Sequence, residues 1–157
     1  MKQKFTETQI KYLSGLIDAD GSLLFHFRHY KDGVYNVTLK LVLQQSLSID
    51  RDGKFIGSLS DYCGFVQEVE VSKDNPNWSN ANRWTVNNHP DLNMLLPRLT
   101  KHMVIKAKHF QRLLDKYNSL HGKSVNEIEM LELKKFSEES RLDAGPLKPK
   151  KHPTWAW

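Results

Sequence analysis

Between residues 36 and 44 the chain alternates apolar and polar side chains more strictly than anywhere else. Val37, Leu39, Leu41 and Leu43 fall on one face; Asn36, Thr38, Lys40 and Gln44, with Val42, fall on the other. Successive side chains on a strand point to opposite faces, so this period describes a strand with one side in a core and one side outside. The preceding run repeats the pattern, with Leu23, Phe25 and Phe27 against Leu24, His26, Arg28 and Tyr30. Lys31-Asp32-Gly33 between the two reads as a hairpin turn, because Asp-Gly tolerates the positive φ a tight turn requires. An antiparallel hairpin of this kind must be covered by other elements on its apolar side.

Helices supply that cover. Thr6-x-x-Gln9 has the form of a capping box, with Phe5 and Ile10 as a hydrophobic staple around it. The spacing predicts a helix through Ile10, Leu13, Leu16 and Ile17 to about Asp18 or Ala19, with Gly21 available to end it. A helix over about 50–62 separates the hairpin from a second strand pair over 64–73 and 82–88. Pro90 opens a further helix that Pro97 ends or kinks. The next helix covers about 101–120 and is closed by Gly122, and Ser124-x-x-Glu127 caps a last one reaching about Leu142. The order αββαββααα is an α+β fold with an antiparallel sheet. One domain is expected over 1–145, followed by a Pro-spaced basic tail over 146–157.

With 157 residues and 39% hydrophobic content, one domain with a sizeable core is affordable and wholesale disorder is not expected. The single cysteine, Cys63, excludes an intrachain disulfide or a multi-cysteine zinc site. No apolar run approaches a transmembrane span, and the first residues lack an apolar signal core, so a soluble, intracellular protein is expected, cytoplasmic or organellar, with no membrane partner. The net charge of +5 favours an anionic partner without choosing among them. Its distribution says more: residues 97–118 hold six basic groups and one acidic, while residues 1–96 are nearly balanced. The seven histidines show no metal-ligand spacing and read as surface or nucleic-acid contacts.

Residues 13–21 read Leu13-Ser14-Gly15-Leu16-Ile17-Asp18-Ala19-Asp20-Gly21. Gly15 and Ala19, four apart, share a helix face and allow another backbone to approach closely. Asp18 and Asp20 sit where unpaired carbonyls already give a helix end negative character. Such a cost is commonly tolerated where a divalent cation binds, Mg²⁺ preferring one or two carboxylates with water and phosphate oxygens. The nonapeptide closely resembles the motif of the LAGLIDADG homing endonuclease family, with Ser14 for Ala as the one mismatch. By layout the resemblance extends over about residues 5–120, since that family has an αββαββα core with a curved DNA-binding sheet.

The resemblance implies a site-specific endonuclease that cuts both strands of a long double-stranded DNA target, with one motif copy per chain, a homodimer, and a gene carried by a mobile intron. It implies Asp20 as metal ligand and catalytic group, Ala19 as a carbonyl ligand, and Mg²⁺ as the ion, with Mn²⁺ or Ca²⁺ able to occupy the site. Asp18 then serves the turn or bonds locally. Gly15, Leu16 and Ala19 form the dimer interface. Aligning the helix after the second strand pair makes Lys106 the assisting amine, with Lys101 or Lys108 in its place if the register differs. Where relatives carry a water-positioning Gln, this chain has Leu47; Gln45, Ser46 or Ser48 are the substitutes.

The outer sheet face offers His26, Arg28, Tyr30, Asn36, Thr38, Lys40 and Gln44 to DNA, with Arg83, Thr85 and Asn87 from the fourth strand. Arg can pair with guanine and Gln or Asn with adenine in the major groove. The third strand reads two ways: apolar alternation turns Phe65, Val69 and Val71 inward, whereas family alignment turns Gln67 outward. Lys148, Lys150 and Lys151 in the tail suit phosphate contact, with Trp155 and Trp157 as anchors. The alternative is a maturase, which would take RNA as its partner, or a DNA-binding protein without cleavage.

Overall fold

The computed structural model describes residues 2–47, 54–70, 80–120 and 122–144. Helix α1 (Glu7–Asp20) leads into the hairpin β1 (Ser22–Lys31) and β2 (Val34–Ser46), then α2 (Lys54–Leu59), β3 (Phe65–Val69) and β4 (Ala81–Val86). Helices α3 (His89–Thr100) and α4 (Ala107–Ser119), a short β5 (Ser124–Asn126) and α5 (Glu127–Ala144) complete the order. The antiparallel sheet runs β1-β2-β4-β3, with β5 paired to the start of β2. The α+β architecture expected from the sequence is present, with β5 as an added edge piece. No helix among the described residues is long and apolar enough to cross a membrane.

The predicted alternation decides the sheet's facing. Val37, Leu39, Leu41 and Leu43 are buried, as are Leu23, Phe25, Trp84 and Val86. They pack in one core with Ile10, Leu13 and Ile17 of α1, the leucines of α3, and Phe110 and Leu113 of α4. Each buried aliphatic or aromatic side chain contributes on the order of 1.5–3 kcal/mol through removal from water. The turn takes φ +70° at Gly33, as Asp-Gly permits. At the start of α1 the capping box is complete, Thr6 and Gln9 each bonding the other's backbone N–H, and Phe5 stacks on Tyr62 with centroids 4.2 Å apart.

Several local expectations are corrected. Pro97 does not end α3, which runs on to Thr100. The expected 101–120 helix begins only at Ala107, because residues 101–106 form a turn whose backbone is bonded elsewhere. Helix α4 ends at Ser119 with Leu120, in place of Gly122, as its cap. The last capping pair is Asn126 with Glu129, two residues later than Ser124 with Glu127. Ser124 instead pairs in β5 and bonds the Asn36 side chain, since an edge beside β2 was open to it. The third strand is settled by register: Gln67 lies opposite Arg83, and Phe65 is 44% exposed while Val66 packs inward. Gln67 therefore faces out, and the inward reading of Phe65 was wrong. Val71, Ser48 and the tail with Lys148, Lys150, Lys151, Trp155 and Trp157 lie outside the described residues.

Candidate active site

The motif ends α1 at the rim of the sheet, and its two carboxylates meet opposite environments. Helix α1 extends to Asp20, one residue beyond the expected end, and Gly21 caps it in extended backbone with φ −84°. Gly21 is therefore not selected for a left-handed turn. A Cβ there would stand 2.7 Å from Ile17 Cγ2 and 2.9 Å from the Ile17 carbonyl oxygen, so the close turn into β1 excludes any side chain.

Asp20 is exposed, and Gln45 Nε2 donates to its Oδ2 at 3.1 Å. Gln45, one of the three expected substitutes for the missing glutamine, is thus in contact with the carboxylate. Among the described residues no donor reaches Oδ1 of Asp20. Asp18 is buried, and its carboxylate accepts from the backbone N–H groups of Val104, Ile105 and Lys106 at 2.7–2.9 Å. These bonds span more than eighty residues, so the local role expected for Asp18 is corrected.

Lys106 sits at the N-cap of α4, not within a helix as its predicted alignment placed it. Its Nζ donates to the Gly21 carbonyl at 2.6 Å and lies 3.5 Å from that of Ala19. A cation there offsets the negative end of α1. Beside it, His109 of α4 bonds Ser140 of α5 at 3.0 Å in a buried pair. Burial, then the nearby cations Arg141, Arg112 and Lys106, hold the imidazole below its ordinary pKa. Arg141 shares a cleft with Ser22 and Lys106; nothing in the sequence separated it from the solvated residues of α5.

On the other side of Asp20, a groove of about 570 Å³ crosses the open sheet face. It gathers Asp20, His26, Lys40, Gln44, Gln67, Arg83 and Thr85 among the expected contacts. Leu24, Val42 and Phe65 line it too; such apolar groups suit thymine methyls, which a search for polar readers passes over. Gln44 is not free as expected: its Oε1 accepts from Arg83 Nε at 3.0 Å across the register. Thr85 is only 4% exposed, since β3 and β2 flank it, so its offer to a ligand is small. Arg28, Tyr30, Asn36 and Thr38 lie further along the hairpin, with Arg28 opposite Asn36, and Asn87 follows the end of β4.

For a divalent cation the groups expected at the motif end, the Asp20 carboxylate and the Ala19 carbonyl, could serve as ligands; no cluster of three or more His, Cys, Asp or Glu occurs among the described residues. That sparse oxygen set fits Mg²⁺, which keeps water and takes substrate phosphates, better than a metal needing an all-protein cage. Gly15 and Ala19 are both exposed, and a Cβ built on Gly15 meets nothing within 4 Å. The buried Ser14 bonds Ile10 O at 2.6 Å, so the one departure from the motif is accommodated.

The model of the family described as LAGLIDADG endonuclease matches residues 13–126. No curated protein matches the sequence significantly. Among solved structures, the homing endonuclease I-CvuI, in complex with the I-CreI target and Mg, is 19% identical; the match covers 93% of this chain and 86% of that one, with a TM-score of 0.57. The archaeal intron-encoded homing endonuclease I-Vdi141I, complexed with DNA, is 17% identical over 93% and 89% of the two chains, with a TM-score of 0.53. The meganuclease I-SmaMI, bound to uncleaveable DNA, is 17% identical; the match covers 86% of this chain and 42% of that one, with a TM-score of 0.53.

Proposed function

The chain belongs to the LAGLIDADG endonuclease family, and from that premise we propose that it acts as a homodimer making a Mg²⁺-dependent double-strand break in a long, specific DNA site. The observation that carries this reading is the exposed Asp20 carboxylate at the rim of a polar sheet groove, with the Lys106 amine on the carbonyls either side of it. A gene borne on a mobile intron accords with the intron-encoded description of I-Vdi141I.

The parts divide by task. Asp20 and the Ala19 carbonyl would hold Mg²⁺, which when bound activates water and stabilises the charge developing on the leaving oxygen. Gln45, whose amide bonds the Asp20 carboxylate, takes the part of the water-positioning side chain in this reading. Lys106 carries a fixed positive charge to the motif end, suited to a phosphate brought against it. His26, Lys40, Gln44, Gln67 and Arg83 read base edges in the groove, and Arg28, Tyr30, Asn36 and Thr38 extend the footprint along the hairpin. Gly15, Leu16 and Ala19 pack against the same helix of a second copy, which brings two Asp20 carboxylates to neighbouring positions for a cut on each strand.

Incubation of the chain with a randomised duplex library and Mg²⁺, followed by sequencing of the ends, tests this. One long, near-palindromic consensus with a cut on each strand is expected from wild type and none from Asp20→Asn. Binding of duplex without cuts by the wild-type chain would favour the non-cleaving alternative, and selective retention of RNA the maturase.

A further inference from the structure

We propose that Asp18 is a positioning residue: by gathering the backbone N–H groups of Val104, Ile105 and Lys106, its carboxylate sets where the Lys106 amine stands on the carbonyls flanking Asp20. The inference rests on the nuclease reading above for its catalytic consequence, but not for its geometry.

Three observations carry it. Both Asp18 oxygens are used, Oδ2 by Val104 and Ile105 and Oδ1 by Ile105 and Lys106. A carboxylate in the last turn of a helix opposes the helix dipole, so burying one there is unfavourable unless donors surround it. Three successive N–H groups form such an anion-holding nest.

The stretch that donates has little else to hold it. Val104 is 88% exposed and Ile105 40%, so burial of their side chains does not fix their backbone. Met103 is buried just before them, and regular α4 bonding resumes with Phe110 N–H on the Lys106 carbonyl. Between those anchors the Asp18 carboxylate is what the backbone is tied to. Lys106, the N-cap of α4, makes no side-chain bond to the helix it caps.

Lys106 is thus held at both ends by the same four-residue segment: its N–H by Asp18, its Nζ by the Gly21 carbonyl. Segments 18–21 and 104–106 form one locked unit. An asparagine at 18 keeps one acceptor and turns an NH₂ group toward an N–H donor, so the lock opens on one side.

The test has an arm that needs no cleavage. Limited acetylation of the folded chain, read residue by residue by mass spectrometry, should find Lys106 much less reactive than Lys108. In Asp18→Asn, Lys106 reactivity should rise toward that of Lys108 while Lys108 itself is unchanged. Asp18→Glu, which keeps charge and both oxygens on a longer arm, should give the same rise and stands in if the asparagine variant fails to fold. In single-turnover cleavage, Asp18→Asn should lose about 100-fold in rate with unchanged DNA affinity, as misplacement of a reacting group by ~1 Å does. The same change made in a Lys106→Met background should cost nothing more, because the group it positions is already gone. Unchanged Lys106 reactivity in a folded Asp18 variant, or equal losses with and without Lys106, would overturn the proposal. A wild-type chain that cuts nothing would sink the nuclease reading and leave the acetylation arm to decide the lock.

Discussion

The end of α1 and the open face of the sheet are both polar, yet they are built on opposite plans. At the helix end, Asp18 is buried and saturated by three backbone donors, and Lys106 is tied to the motif carbonyls. On the sheet face, His26 and Arg28 are exposed and Lys40 and Gln44 half-buried, with cross-strand side-chain bonds from Arg83 to Gln44 and from Ser124 to Asn36. The difference follows from the work proposed for each. Phosphodiester chemistry depends on placement within fractions of an ångström, which fixed backbone donors supply. Reading a groove needs side chains whose polar ends remain available to bases.

The largest effect should come from breaking the rigid region at its one exposed carboxylate. Asp20→Asn is expected to lower cleavage by about 1000-fold or more, the scale of losing a principal electrostatic group, with thermal stability and DNA affinity nearly unchanged. Gel assays of cutting beside filter binding in Ca²⁺ would check it; parallel losses of binding and cutting would put Asp20 on the reading side.

Gly15→Leu should separate assembly from folding. The added side chain meets open space in the single chain, and leucine favours an exposed helix by up to about 1 kcal/mol over glycine. The monomer should therefore remain folded and melt cooperatively, without the stabilisation that association gives the wild-type dimer, while sedimentation shows loss of the dimer and cleavage disappears. A dimeric, active variant would move the interface elsewhere.

Smaller changes are expected on the sheet face. Gln44→Ala and Arg83→Ala should each relax tolerance at particular base pairs by ~1–3 kcal/mol, and the double change should cost less than their sum because the two side chains are bonded. Affinities for matched and single-mismatch duplexes would reveal this. Additive losses would show that the pair parts when DNA binds. Removal of residues 146–157 should weaken binding to all sequences alike and flatten its salt dependence, without altering base preference.

The smallest effect concerns the pair behind Lys106. Burial and neighbouring cations lower the His109 pKa, so the unfolded chain takes up the proton more readily than the folded one. The resulting stability is fully present above the unfolded imidazole's ordinary 6.5 and is lost as pH falls through the lower folded value. Melting temperatures measured from pH 7.5 downward should decline faster for wild type than for His109→Gln. Equal slopes would assign the decline to other groups.

Much of this molecule was legible before any coordinates, for a local reason. A period of two over residues 36–44 and the Thr6–Gln9 box concern neighbours within a few residues, so facing, turn and helix start follow from side-chain geometry alone. The nonapeptide likewise put Gly15 and Ala19 on one helix and Asp20 at its end, where all three are exposed. What sequence could not determine were contacts between segments far apart in the chain. The helical pattern after residue 100 was extended back over 101–106 because nothing local announced that those amides turn toward Asp18. Apolar alternation misplaced Phe65, because the facing of β3 is imposed by its register with Arg83 and Thr85 of β4. Local patterns decide which way a residue leans, but a buried carboxylate takes whichever donors the tertiary fold brings to it, and here they came from the other half of the chain.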